Sequence, residues 1–357
     1  MTKKTEVLCA GLSMVLIAFC GCKPQELKRQ VEKAEEALEA AKNADAAIVN
    51  PADYPDWEAE LKGKITALQE DSTQRTNWQR LNIVEAYKQR GRRNLKWDQG
   101  AIALMESWVP IMMASDFRPI HGMTELGQAA KALMEQGCDD PIVTYIRGRY
   151  LGFDPKLSKN QLAREWSRIG EGVMASEYPP VRQFWPFLRA ATYMVHEQPM
   201  DQAMVVEMYS RALACVGEMA QDPMTPELDL YAAASAWYSA HRQNSASYFL
   251  SWEEVDSALA VREDRSFARN LLKGQVYTDY AWEARGSDWA YRVTQQGWEE
   301  FFKRLSEAEK ALVLAWYQRP DNWQPATYMI TVELGQGRGR ERMEKWFQRA
   351  MANYPAN

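Results

Sequence analysis

The chain has 357 residues, 46% of them hydrophobic and 25% charged, with a formal charge of −5. That is enough apolar material for a large folded body, and the mild acidity gives no electrostatic footprint for nucleic acid. Five cysteines and three histidines are too few and too dispersed for a disulfide scaffold or a local metal motif, so no metal and no cofactor are expected.

Lys3 and Lys4 precede an apolar run from Val7 to Phe19, which closes in Phe19-Cys20-Gly21-Cys22 and then turns polar. This is the pattern of a signal peptide, residues 1–21, and a small residue directly before a cysteine suits cleavage by lipoprotein signal peptidase. Cys22 is then the first mature residue and the lipidation site, with a diacylglycerol on its sulfur and a further acyl chain such as palmitate on its amine. The rival acceptor Cys20 follows bulky Phe19, a poorer cleavage site. The apolar run of about 13 residues is short for a membrane span, which needs about 20. The expectation is a membrane-anchored lipoprotein whose body lies in the cell envelope, outside the cytoplasm. Losing Lys3, Lys4 and Glu6 with the signal moves the charge from −5 to −6. Cys138 and Cys215 remain, 77 positions apart, and are expected as buried free thiols.

Residues 25–48 read as a charged stalk helix, with Leu27, Val31, Ala34, Leu38, Ala41 and Ile48 on a 4-3 spacing that Asp45 interrupts. Asn50-Pro51 and Tyr54-Pro55 stop it, which closes a segment 22–50 of lipidated cysteine and stalk. From 56 to 280 the sequence predicts an irregular helical array, and from 281 to 357 a more regular C-terminal domain. The breakers are Gly91, Gly100, Gly137, Pro141, Gly152, Pro179-Pro180, Pro199, Pro223, Pro226, Gly286 and Pro320. Two apolar runs with strand-like composition, Ile142 to Ile146 and Tyr328 to Val332, fall where the first helix of a pair belongs and are read as helical.

Near the C-terminus, Ala308, Leu312, Ala315 and Pro320 recur as Met343, Phe347, Ala350 and Pro355, each pair 35 residues apart. A helix-turn-helix unit that ends in a small residue followed by proline is the tetratricopeptide pattern. The fold class is therefore all-α, a tetratricopeptide-like α-solenoid of antiparallel helix pairs preceded by a stalk helix. Trp298, Phe301, Phe302, Leu305, Ala308, Leu312, Ala315 and Trp316 form one core stripe. Met343, Trp346, Phe347, Ala350, Met351 and Tyr354 form another. Most of the 14 Trp and 16 Tyr fall at helical spacing and are assigned to packing between helices.

The stretch Ala284-Arg285-Gly286-Ser287-Asp288-Trp289-Ala290, with Gly297-Trp298 and the terminal Trp346-Phe347-Gln348-Arg349-Ala350, resembles a bacterial tetratricopeptide-like family of unknown function. The resemblance covers roughly residues 280 to 355 and implies a fold without an activity.

Several patterns invite chemistry. Gly335, Gly337 and Gly339 lack the strand-turn-helix setting of a phosphate loop and are read as an inter-helix turn. His121, His196 and His241 are too far apart for a motif. The clusters Arg90, Arg92, Arg93 and Arg338, Arg340, Arg342 are read as solvated loops or caps. Glu106-Ser107 resembles the catalytic pair of lytic transglycosylases, but no lysozyme-like domain surrounds it, and no catalytic constellation is found. The segment with Arg285, Asp288, Trp289, Arg292 and Trp298 is the candidate ligand-binding site. Its recognition reading is an arginine fork for a carboxylate between aromatic walls; the alternative is a helix cap with the tryptophans in the core. The expected function is a non-enzymatic scaffold that is anchored in the membrane by lipid and holds an envelope protein or peptide. A glycan-binding accessory protein is the alternative, and a peptidoglycan-active hydrolase a remote one.

Overall fold

The computed structural model describes residues 55–64, 67–68, 72–113, 122–196, 200–243 and 248–354. The signal segment, Cys22, the expected stalk helix, His121, Pro199 and Pro355 lie outside them. The described residues are all-α, with no strand among them.

Helix α1 (Trp57–Leu61) leads to α2 (Ser72–Arg80), which continues through a π-helical turn at Leu81–Glu85 into α3 (Ala86–Arg90). Next come α4 (Asp98–Met113), α5 (Met123–Glu135), α6 (Pro141–Leu151) and α7 (Lys159–Ala175). Four pairs follow. They are α8 (Pro180–Met194) with α9 (Gln202–Gln221), and α10 (Glu227–His241) with α11 (Tyr248–Leu259). They continue as α12 (Phe267–Arg285) with α13 (Gln295–Gln318), and α14 (Gln324–Gln336) with α15 (Arg340–Asn353). Partners within each pair pack together, and the first members α8, α10, α12 and α14 lie side by side, which makes a helical-repeat array.

Local chemistry sets the helix starts. Asp140 caps α6 by accepting from Ile142 N at 2.9 Å, with Pro141 in the first turn, where a missing N–H is harmless. Ser158 and Gln161 form a capping box on α7, and Asp201, Ser266 and Thr294 cap α9, α12 and α13. Both strand-like runs are helical, within α6 and α14. Gly100, read from sequence as a breaker, instead lies in the first turn of α4, where an added Cβ would stand 2.8 Å from Leu133 Cδ2. Here glycine admits a neighbouring helix rather than ending its own. Residues 280 and 281 both lie within α12.

One connected apolar core runs from Trp78 to Ala350. The α13 stripe is buried as its periodicity predicts, with Trp298 half-buried at its start. The α15 stripe is a correction. Trp346 and Ala350 are buried, but Phe347 is 48% exposed, and Met351 and Tyr354 are exposed as well. Helical spacing marks a face that can be covered, and among the described residues no further helix pair covers this one.

The N-terminal segment lies lengthwise on the array, in the opposite sense. Arg92 N donates to Asp140 at the start of α6 (2.9 Å), and Arg90 pairs with Glu177 just before α8 (2.8 Å). Gln79 accepts from Arg182 of α8 at 2.8 Å, and Arg75 donates to Asp229 of α10 at 2.6 Å. Leu68 N donates to Gln318 O at the end of α13 (2.7 Å), and Glu58 accepts from Arg349 of α15 (2.6 Å). The described residues between 58 and 92 thus form a strap across successive helix ends.

Candidate binding groove

A cavity of about 530 Å³ opens between the C-terminal halves of α8 and α10. Its size comes from unequal side chains on facing helices. Helix α8 contributes Trp185, Arg189, Thr192 and Tyr193 at helical spacing, whereas α10 presents only Ala236, Ser239 and Ala240. The floor is Tyr209 of α9, fixed because its hydroxyl donates to Ala240 O at 3.1 Å. Beneath it, Trp237 Nε1 donates to Tyr209 O at 2.9 Å.

The rim carries charge of one sign. Lys159, Arg189 and His196 line the groove, and no carboxylate does among the described residues. The Arg189 guanidinium stands 5.3 Å from the Trp166 ring centroid and has no ion-pair partner, and its Nε has no hydrogen-bond partner. The two sides differ in charge: residues 141–196 carry eight Lys or Arg and four Asp or Glu, whereas residues 197–243 carry two and seven. Arg147 lies over Phe153 at 5.5 Å, likewise without an ion pair.

The residues singled out from sequence are arranged differently. Arg285 sits between Trp282 and Trp298, 5.7 Å from each ring centroid, and its Nη1 donates to Gly286 O (3.0 Å) and Asp288 O (3.2 Å). The fork is thus directed at the backbone of its own turn. Asp288 pairs with Arg292 at 3.5 Å, and both are exposed. Trp298 stacks on Phe302, whereas Trp289 is 72% exposed and projects beside exposed Tyr291. The five residues therefore share one loop region but do not converge on one point. The groove residues went unnoticed because Trp185 and Tyr193 read as core spacing; the signal available was the local excess of cations.

Other candidates are held by structure. Glu106 is ion-paired with Arg80 at the surface, and Ser107 Oγ donates to Ala103 O, so the apolar enclosure that a protonated general acid requires is not there. His241 stacks on Trp237 at 4.4 Å, with Nδ1 2.9 Å from Ser251 Oγ; burial lowers its pKa. His196, on the groove rim, is the other described histidine. Of the glycine run, Gly337 (φ 65°) and Gly339 (φ 101°) make the α14–α15 turn with backbone angles that favour glycine, whereas Gly335, read from sequence as part of that turn, lies inside α14, where an added Cβ would stand 2.6 Å from Leu305 Cδ1. Arg338 from that turn forms a bidentate pair with fully buried Glu309 at 2.6 and 2.9 Å. Cys138 and Cys215 are buried free thiols. Burial pushes the first up and the second to about 12, so neither is poised to react near neutral pH. Among the described residues no group of three or more His, Cys, Asp or Glu could hold a metal ion. Nor is any described helix long and apolar enough to cross a membrane.

Comparison with protein-family models, with curated proteins and with solved structures finds no match for this chain. The functional reading therefore rests on the groove itself.

Proposed function

We propose that this chain is a lipid-anchored, non-enzymatic scaffold of the cell envelope that holds an extended segment of a protein partner. The observation that carries this reading is the groove between α8 and α10. It is about 530 Å³ and aromatic on one wall, a lining suited to side chains of a peptide. The anchor rests on the sequence before Cys22, and the strap then ties the tethered end of the chain to α15 through Glu58 and Arg349.

The test is photo-cross-linking in intact cells with p-benzoylphenylalanine at position 185 and, as a control, at position 174, where Met174 is exposed on α7. The scaffold reading expects one envelope protein captured from position 185 and lost on Tyr193→Ala. Capture that is identical from both positions, or none, overturns it. Cys22→Ala tests the anchor separately; continued palmitate labelling and membrane retention would rule it out.

A second reading, glycan binding, is favoured by one observation. The Trp289 ring is free of packing on an exposed loop, as a sugar-stacking platform requires. Loss of glycan co-purification on Trp289→Ala would support it.

A further inference from the structure

We infer that the α8–α10 groove recognises a peptide segment rich in carboxylates, with apolar side chains between them. The inference rests on the scaffold reading and adds the chemistry of the partner. Two observations carry it. First, among the described residues the lining cations Lys159 and Arg189 have no anionic partner, whereas Arg168 and Arg211, on the flanking helices α7 and α9, are both ion-paired, with Glu165 and Glu207. Second, Arg189 is held in place without being neutralised. Its guanidinium lies over Trp166, which Phe153 meets edge-on at 5.1 Å, so the charge is positioned by packing, with a buried Nε that has no hydrogen-bond partner among the described residues.

The balance of donors and acceptors selects peptide over glycan. A carboxylate only accepts, which suits a rim of Lys and Arg. Sugar hydroxyls also donate, and among the described residues no carboxylate lines the cavity to accept from them; the side-chain acceptors there include the neutral oxygens of Thr192, Tyr193, Ser239 and Gln243. The remaining lining, with Leu188, Val195, Ala236 and Ala240, suits aliphatic or aromatic side chains.

The experiment uses the full-length protein and three fluorescent dodecapeptides that share Leu and Tyr positions and carry Glu, Gln or Lys at the others. A polygalacturonate oligomer is the fourth probe. Fluorescence anisotropy is expected to show the Glu peptide binding at least about tenfold more tightly than the Gln peptide, and the Lys peptide most weakly. Arg189→Glu with Lys159→Glu is expected to abolish that preference, and Ser239→Trp, which fills the cavity from α10, to abolish binding of the Glu peptide altogether. Lys159→Glu alone, on an exposed residue, gives the same direction of effect if the double variant does not fold. Equal binding of the Glu and Gln peptides, blocked by Ser239→Trp, overturns the carboxylate preference and leaves the scaffold reading standing. Binding of polygalacturonate but of no peptide overturns the peptide assignment. No groove-dependent binding of any probe, together with no cross-link from position 185, removes both readings.

Discussion

The carboxylate of Asp229 joins the two ends of one strap contact: Oδ2 accepts from Arg75 Nε at 2.6 Å and Oδ1 from Gln79 Nε2 at 2.6 Å. Gln79 in turn accepts from Arg182 at 2.8 Å, so α2, α8 and α10 meet in one chain of buried polar groups. Arg75 also donates to the carbonyls of Met112 and Met113, which closes the exposed end of α4. The strap is thus integral to the array, and it leaves the α8–α10 groove open at the other end of α10.

Removing the Asp229 carboxylate should therefore be severe. Both charged partners are mostly buried, with side-chain exposures of 14% for Arg75 and 8% for Asp229. Asp229→Ala takes the carboxylate partner from Arg75 and the acceptor from Gln79 Nε2 and is expected to destabilise by about 3 to 5 kcal/mol. Replacing the pair together, Arg75→Met with Asp229→Leu, should recover most of that loss. Urea unfolding monitored by circular dichroism checks both. A single variant indistinguishable from wild type would show that the strap contact contributes nothing.

The outer end of the strap should loosen in acid. Glu58 is buried, which pushes its carboxyl up, but Arg349 and Lys345 outweigh burial and hold it below the ordinary glutamate range. A carboxyl depressed in the folded state contributes stability above its unfolded pKa, about 4.3, and loses that contribution as pH falls through the folded value. Amide exchange over α1, corrected for intrinsic rates, should show protection that is full at neutral pH and drops below about pH 4. Glu58→Gln should show weaker protection at neutral pH and no further drop in that window. The same drop in the variant would place the titration elsewhere.

How much of this was legible in the sequence depends on how local the cause is. Ser158 and Gln161, or Asp140 and Pro141, fix a helix start within four residues, so the helical order was readable. The α13 stripe was readable because 3.6-residue periodicity survives over the whole helix. Phe347 and Met351 have the same periodicity but are exposed, because their burial depends on an element that periodicity does not supply. The strap was not readable: Glu58 and Arg349 are 291 positions apart, and only the path of the chain brings them together. The groove was hidden for the same reason, since small residues on α10 make a cavity only where the register sets them against Trp185 and Tyr193. At Arg285 the sequence showed the right cluster without the acceptor, which proved to be its own turn.

Arg182 is a case where removing a charge should help. It is 3% exposed, lies 5.1 Å from the Trp108 ring centroid, and has Gln79 as its protein hydrogen-bond partner, with Nε and Nη1 unpartnered. Burial lowers its pKa to about 10, which reports how poorly the site solvates the cation. Arg182→Met keeps the stem packed on Trp108 and is expected to be neutral or stabilising by about 1 to 4 kcal/mol, as for other buried charges replaced by apolar groups of similar volume. Urea midpoints of the variant and of wild type decide it. A loss above about 2 kcal/mol would mean that the guanidinium is held by interactions stronger than its single bond to Gln79.

A close approach between α12 and α13 gives a direct packing test. At Gly274 of α12 an added Cβ would lie 2.4 Å from Leu312 Cγ of α13, a branch atom that the fully buried side chain has no room to move. Gly274→Ala should therefore destabilise by about 1 to 3 kcal/mol through overpacking, although alanine is the better helix former. Leu312→Ala alone should lose about 2 to 5 kcal/mol by opening a cavity. The two changes address the same space, because the new methyl fills part of the volume that the shortened leucine vacates. The double variant should accordingly be more stable than the sum of the single losses predicts, with a coupling of about 0.5 to 3 kcal/mol. Strict additivity in the double-mutant cycle would show that α12 and α13 separate to accommodate the methyl, and that this pair is not the rigid unit on which the neighbouring helices are set.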